Sequence, residues 1–196
     1  YLISPSKINE ETFFTELSEV LKTKMVNFFQ LRLKKTSRIK KLKIGQKIKK
    51  ICRNNKVKFI VNDDPLLTKK LNADGCHLGQ KDMSVINARK LIKKKIIGLT
   101  CHNSKKHILK AIKLNVDYIA IGAFFSSKTK KVKYKAKLST LNYAKSITNI
   151  PIVAIGGINS NNYKKLLLNK ANFLAISGYI WKNKKLKPIE AVKKFK

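Results

Sequence analysis

The sequence predicts an α/β fold, a single (β/α)8 barrel of the TIM type. Short β-branched or aromatic runs recur eight times, and stretches of 3.6-residue apolar periodicity separate them. Strict alternation of this kind implies parallel strands joined by crossover helices. Eight such units in 196 residues make a lean barrel, near the lower size limit of the fold. An open, doubly wound sheet is the competing architecture. The strand candidates are Tyr1–Ser4, Met25–Leu31, Val57–Val61, Gly75–Leu78, Lys95–Leu99, Val116–Ile121, Ile152–Ile155 and Phe173–Ile176. Phe13, Leu17, Val20 and Leu21 mark one helix face; Ile108, Ala111 and Ile112 mark another. Asn103 or Ser104 is placed to cap the helix carrying Ile108, and Ser160 or Asn161 the helix near Tyr163. No linker, repeat or second domain stands out, so residues 1–196 read as one domain. The longest irregular stretch, Ala123 to about Lys135, follows the sixth strand, and a loop that long in so lean a chain points to function.

Lys and Arg number 45 against ten Asp and Glu, a formal charge of +35, yet only Arg32, Arg38, Arg53 and Arg89 are arginine. A surface built to read nucleic acid recruits Arg, whose planar fork pairs with phosphate and guanine. A Lys excess beside many Ile and Asn reads instead as compositional bias, which limits nucleic-acid contact to non-specific attraction. Hydrophobic residues make up 43% of the chain, enough for a full core and too many for a disordered one. Cys52, Cys76 and Cys101 are odd in number and scattered, which speaks against a disulfide scaffold and for a reducing cytoplasm. No apolar run approaches the roughly 18 residues that cross a bilayer. No charged-then-apolar leader is present, and the start at Tyr1 without Met reads as the trimming of a few residues.

In a parallel barrel, chemistry gathers where the strands end. The second strand ends in Gln30-Leu31-Arg32-Leu33-Lys34, and a period of two puts Gln30, Arg32 and Lys34 on one face. One amide and two cations in a row suit an extended phosphate or pyrophosphate; a basic strand end dissolving into its loop is the plainer reading. The third strand ends in Asn62-Asp63-Asp64, and Asp82 follows the fourth. Two carboxylates on neighbouring strand ends can hold Mg²⁺, which shares its other positions with water and substrate phosphate. Turn or cap chemistry explains Asn and Asp there equally well.

The sixth strand runs into Ala123-Phe124-Phe125-Ser126-Ser127-Lys128-Thr129-Lys130, a donor-rich loop that either holds an anion or is a solvated tip. Gly156 and Gly157 after the seventh strand, and Ser177-Gly178 after the eighth, match the usual phosphate site of this fold, where glycine lets the backbone approach a ligand. Cys76-His77 and Cys101-His102 do not make a zinc site, because neighbours on a strand point to opposite faces. His102 reads as a rim residue and His107 as helix surface.

In order along the chain, YLISP, QLRLK, NDD, ADGCHLGQKDM, IGLTCH, VDYIAIGAFFSSKTK, IPIVAIGGIN and ISG resemble thiamine phosphate synthase. The resemblance covers nearly the whole chain. It implies a Mg²⁺-assisted transferase that couples an aminopyrimidine methyl diphosphate to a thiazole ethyl phosphate, releasing pyrophosphate and forming thiamine monophosphate. By the same resemblance Gln30, Arg32 and Lys34 hold the pyrimidine diphosphate, Asn62 shares that pocket, and Asp63 and Asp82 hold the metal. Thr100, where the family usually has Ser, lies near the pyrimidine and diphosphate. Ser127 and Thr129 bind the thiazole phosphate, Lys130 binds the diphosphate, and Gly157, Ile176 and Ser177 close the thiazole phosphate site. The implied catalytic set is Lys130, Arg32 and Thr100.

The chain departs from the family pattern at Leu33 for Glu, at Asp64 for Arg, and at Ala123, Ser126 and Ser127 for Pro, Pro and Thr. The rival reading is a thiazole tautomerase, a related barrel with His102 as acid/base and no use for two metal carboxylates. A third is an inactive basic barrel that binds nucleic acid, whose affinity would fall steeply with salt.

Overall fold

The computed structural model describes residues 1–126 and 135–196. Eight strands alternate with helices: β1 (Leu2–Ile3), α1 (Phe13–Lys22), β2 (Phe28–Leu31), α2 (Arg38–Asn54), β3 (Lys58–Asn62), α3 (Pro65–Leu71), β4 (Gly75–Leu78) and α4 (Val85–Ile92) come first. They are followed by β5 (Ile96–His102), α5 (Lys105–Lys113), β6 (Tyr118–Gly122), α6 (Leu138–Ile147), β7 (Ile152–Ile155), α7 (Lys164–Leu168), β8 (Phe173–Ala175), α8 (Gly178–Trp181) and α9 (Pro188–Lys193). Every strand pairs in parallel with the next in chain order. Ile3 N–H donates to Ile176 O at 2.8 Å and Ile176 N–H to Tyr1 O at 2.9 Å, so the sheet closes and the barrel, not the open sheet, is the fold.

Period two divides the side chains of each strand. Cys76 and Leu78 of β4 face outward and pack with Val85 and Ala88 of α4, while Gly75 and His77 face the interior. The interior holds Ile3, Tyr118, Ala120, Val153 and Ala175, with Tyr1, Ile96, Ile155 and Phe173 packed against them. The helices bury one stripe each; Ile44, Ile48 and Cys52 of α2 repeat at four-residue spacing onto the sheet.

The observed strands begin and end differently from the apolar runs. β2 starts at Phe28 rather than Met25, because Lys24 at φ 58° turns the chain out of α1 and the next residues only approach the sheet. β5 extends past Leu99 to His102, and a register shift opposite β6 accommodates the extra residue between Thr100 and His102. Thr100 therefore belongs to the strand. Ser104 caps α5 by accepting from His107 N–H. Neither Ser160 nor Asn161 caps α7; Asn159 and Asn162 instead bond each other's segment, with Asn162 Oδ1 accepting from Asn159 N–H at 2.9 Å.

A structural repeat, invisible in the composition, sets the floor of the barrel. Asn72, Asn115 and Lys170 each take a left-handed conformation after a helix. A buried Ala73, Val116 or Ala171 follows, and then Asp74, Asp117 or Asn172. Each of these last side chains accepts the first free N–H of the preceding strand: Asp74 from Phe59, Asp117 from Ile97 and Asn172 from Ile152. Asp117 also pairs with Arg89 at 2.7 Å, and Arg89 donates onward to Lys93 O and Lys95 O. Asp117→Ala should lower stability by about 1–3 kcal/mol, because it leaves Ile97 N–H without its acceptor and Arg89 without its carboxylate partner. Asp117→Asn should recover part of that, read as the midpoint of urea unfolding.

Candidate active site at the C-terminal rim

The ends of β2, β3 and β4 build the charged side of the rim. Gln30, 2% exposed, donates to Asn62 Oδ1 at 3.2 Å, which ties the amide floor of two neighbouring strands together. Arg32 N–H is held by Ser4 Oγ at 2.9 Å, so the strand end is anchored to the end of β1. Asp63 N–H donates to His77 O at 2.8 Å, and the residue then takes a left-handed conformation at φ 64°. That turn aims its carboxyl at Asp82, with Lys34 and Arg32 close by. Asp82 is in turn held by Gly79 N–H, which donates to its Oδ2 at 2.7 Å.

Burial, and then the facing Asp82 carboxyl, push the Asp63 pKa up to about 6, against the pull of Lys34 and Arg32. Two apposed carboxyls of this kind share a proton or are bridged by a cation. No group of three or more His, Cys, Asp or Glu is assembled among the described residues, so a cation here would use two protein carboxylates and leave its other positions to ligand oxygens.

The two departures next to this pair have structural explanations. Asp64 turns away from the rim and caps α3, accepting Leu67 N–H at 2.8 Å. Leu33 is buried in the layer between barrel and helices, and it lines a cavity of about 360 Å³ with Lys34, Lys41, Asp63 and Asp64.

Behind the rim lies a polar chain that the sequence reading passed over. His77, 9% exposed, contacts Thr100 Oγ1 through Nε2 at 2.8 Å and Tyr118 Oη through Nδ1 at 2.8 Å. Tyr118 Oη meets Tyr1 Oη at 2.6 Å. Burial holds His77 down to about 4, so the ring is neutral. Gly98 makes this packing possible, since a Cβ there would meet Tyr118 Cζ at 1.9 Å. The signal was available: period two puts His77 on the inward face with Gly75, away from Cys76.

Across the mouth, Ser177 Oγ donates to Ser4 O at 3.1 Å and its residue precedes α8. Ile176 faces the helix layer, and its N–H and C=O each make one hydrogen bond of the barrel closure. Gly157, at φ 64°, allows a close approach of the loop after β6: a Cβ would sit 2.3 Å from Ser126 O. Ser127, Thr129 and Lys130 lie outside the described residues. His102 ends β5, and His107 is half-buried rather than on the helix surface, its ring 6.2 Å from that of His102.

A closed parallel barrel with two cations, two apposed acids and an amide floor at one mouth defines an enzyme of the anion-handling kind. Comparison with known proteins makes this specific. A family model described as thiamine monophosphate synthase matches residues 1–180, and the chain belongs to that family. A thiamine-phosphate synthase from Pelagibacter ubique is 65% identical over 196 residues, covering 100% of this chain and 95% of its own. One from Erythrobacter litoralis is 36% identical, covering 97% and 92%. Among solved structures, thiamine phosphate pyrophosphorylase from Pyrococcus furiosus superposes with a TM-score of 0.89 at 25% identity, over 100% of this chain and 92% of that one.

The raised Asp63 pKa has a sign that can be tested. The folded, ligand-free protein holds this proton more tightly than the unfolded chain, so the stabilisation is full below the ordinary carboxylate range and is lost as pH rises through about 6. Asp63→Asn should therefore raise Tm by about 2–4 °C at pH 7.5 and change it little at pH 4.5, measured by calorimetry without divalent cations.

Proposed function

We propose that this barrel, as one domain, catalyses thiamine phosphate formation from a hydroxymethylpyrimidine diphosphate and a thiazole ethyl phosphate, with release of pyrophosphate. The observation that carries this reading is the convergence of Arg32, Lys34, Asp63 and Asp82 at one mouth of a chain in the thiamine monophosphate synthase family.

The bond that breaks joins the pyrimidine methylene carbon to a diphosphate oxygen, and both electrons leave with the oxygen. The methylene cation left behind is stabilised by the electron-rich aminopyrimidine and captured by the thiazole nitrogen. Catalysis is then charge stabilisation on the leaving group together with positioning. Arg32 and Lys34 bind the diphosphate, and Gln30 and Asn62 orient the pyrimidine above the amide floor. Thr100 donates its hydroxyl to substrate. Asp63 and Asp82 would hold Mg²⁺, which when bound neutralises diphosphate charge. The apposed carboxyls and the raised Asp63 pKa fit a cation between them.

Ser127 and Thr129 bind the thiazole phosphate and Lys130 the diphosphate by family resemblance. Gly157 and Ser177 shape the opposite wall, with Ile176 acting through barrel closure. Tautomerisation of a thiazole phosphate needs no paired metal carboxylates, which disfavours the paralogue reading. Three free, buried cysteines suit a reducing cytoplasm. Among the described residues no helix is long and apolar enough to cross a membrane. The Lys-rich exterior limits nucleic-acid contact to weak, salt-sensitive attraction.

Mixing both substrates with Mg²⁺ should release pyrophosphate and thiamine phosphate; metal-independent isomerisation of the thiazole phosphate alone would mark the tautomerase instead. Asp82→Ala should cut turnover by roughly 100-fold or more while Tm moves little, because the side chain is exposed. Lys130→Met should slow pyrophosphate release by a similar order.

A further inference from the structure

Four neutral groups stand in line behind the rim: the Tyr1 phenol, the Tyr118 phenol, the His77 imidazole and the Thr100 hydroxyl. Each carries one proton that it can donate, and three contacts join them. One proton must therefore be left over, at an end of the line or on Tyr118, where it would be a buried phenol donor with both its described partners already donating to it. If the bonds run from Thr100 toward Tyr1, the spare proton sits on Tyr1. Its ring lies against Phe28 at 5.5 Å, and among the described residues its hydroxyl has Tyr118 as its one hydrogen-bond partner. A donor buried there without an acceptor is costly. If the bonds run from Tyr1 toward Thr100, the spare proton sits on Thr100, which is half-buried at the mouth where a ligand can accept it.

We propose that Tyr118 and His77 are positioning residues that fix the direction of this chain, so that the Thr100 hydroxyl donates outward to an anionic phosphoryl oxygen. Tyr1 donates to Tyr118, Tyr118 to His77 Nδ1, and His77 Nε2–H to Thr100 Oγ1. His77 is thus the Nε2–H tautomer. An oxygen that accepts one strong hydrogen bond is a better donor of the next, so the line also strengthens the Thr100 donation. Burial keeps both phenols protonated and His77 neutral, so no member of the line ionises near neutral pH. The role of Thr100 toward substrate rests on the reading above; the His77 tautomer does not.

Long-range ¹H–¹⁵N spectra of the full chain, with His77 assigned by its loss in His77→Gln, read the tautomer directly. Nε2–H is expected, and it should persist in Tyr1→Phe, where Tyr118 keeps His77 as its acceptor. In Tyr118→Phe the preference should weaken, and kcat should fall on the order of tenfold while the thiazole phosphate KM holds. His77→Leu should lose at least as much, and His77→Gln, which returns a donor near Nε2, should recover most of it. An Nδ1–H tautomer in the wild type overturns the proposal. So does wild-type kcat in folded Tyr118→Phe and His77→Leu. Absence of any thiamine phosphate from the wild-type protein would instead count against the functional reading and leave the tautomer measurement standing.

Discussion

The arrangement depends on one constraint: a parallel sheet of eight strands must close on itself. Closure here uses little material, a two-residue β1 and the single residue Ile176, joined by two backbone hydrogen bonds. Once the ring is shut, all eight C-terminal ends are forced to one mouth. Residues separated by well over a hundred positions then become neighbours. Ser4 shows this most directly, since its hydroxyl holds Arg32 N–H of β2 while its carbonyl accepts from Ser177 after β8.

With so few acids against a charge of +35, where each one goes is informative. All five aspartates have specific work. Asp74 and Asp117 receive strand N–H groups at the floor, Asp64 caps α3, and Asp63 and Asp82 face each other at the mouth. The floor acids are satisfied by fixed donors within the protein. At the mouth only Asp82 has such a donor, Gly79 N–H, and the two like charges are brought together beside Lys34 and Arg32, which only partly offset them. A stability cost concentrated at the ligand-facing end is what a site for a cation and an anionic substrate looks like before they arrive.

Apart from Lys34 at the mouth, the described lysines take little part in this. Described ion pairs of Lys are confined to exposed contacts with Glu10 and Asp74, and such contacts contribute little to stability. The arginine that does structural work, Arg89, is the one whose planar fork reaches three carbonyls and a carboxylate at once. Fold and site thus rest on a small set of directional groups inside a generic cationic exterior.

Periodicity alone carried the order of eight strands and the helices between them, because burial on a sheet or a helix stripe leaves a local pattern in the chain. The same logic put Gln30, Arg32 and Lys34 on one face and singled out the acids after β3 and β4. Local pattern does not encode register or side-chain partners, so three features needed the folded molecule. β5 runs past Leu99, so Thr100 pairs with Ala120 in register just before the bulge. Glycine at 157 leaves room for the neighbouring loop, at Ser126 O. His77 reaches Thr100 and Tyr118 across 23 and 41 residues. The resemblance assigns Asp63 to the metal and leaves Asp64 as a departure; the structure adds how they part, a left-handed turn at Asp63 that sends one carboxyl to the mouth while the helix that follows takes the other. The cap at Asp64 is local, next to Pro65, whereas the turn at Asp63 is pinned by its N–H bonding His77 O on the neighbouring strand, a pairing that only the tertiary structure decides.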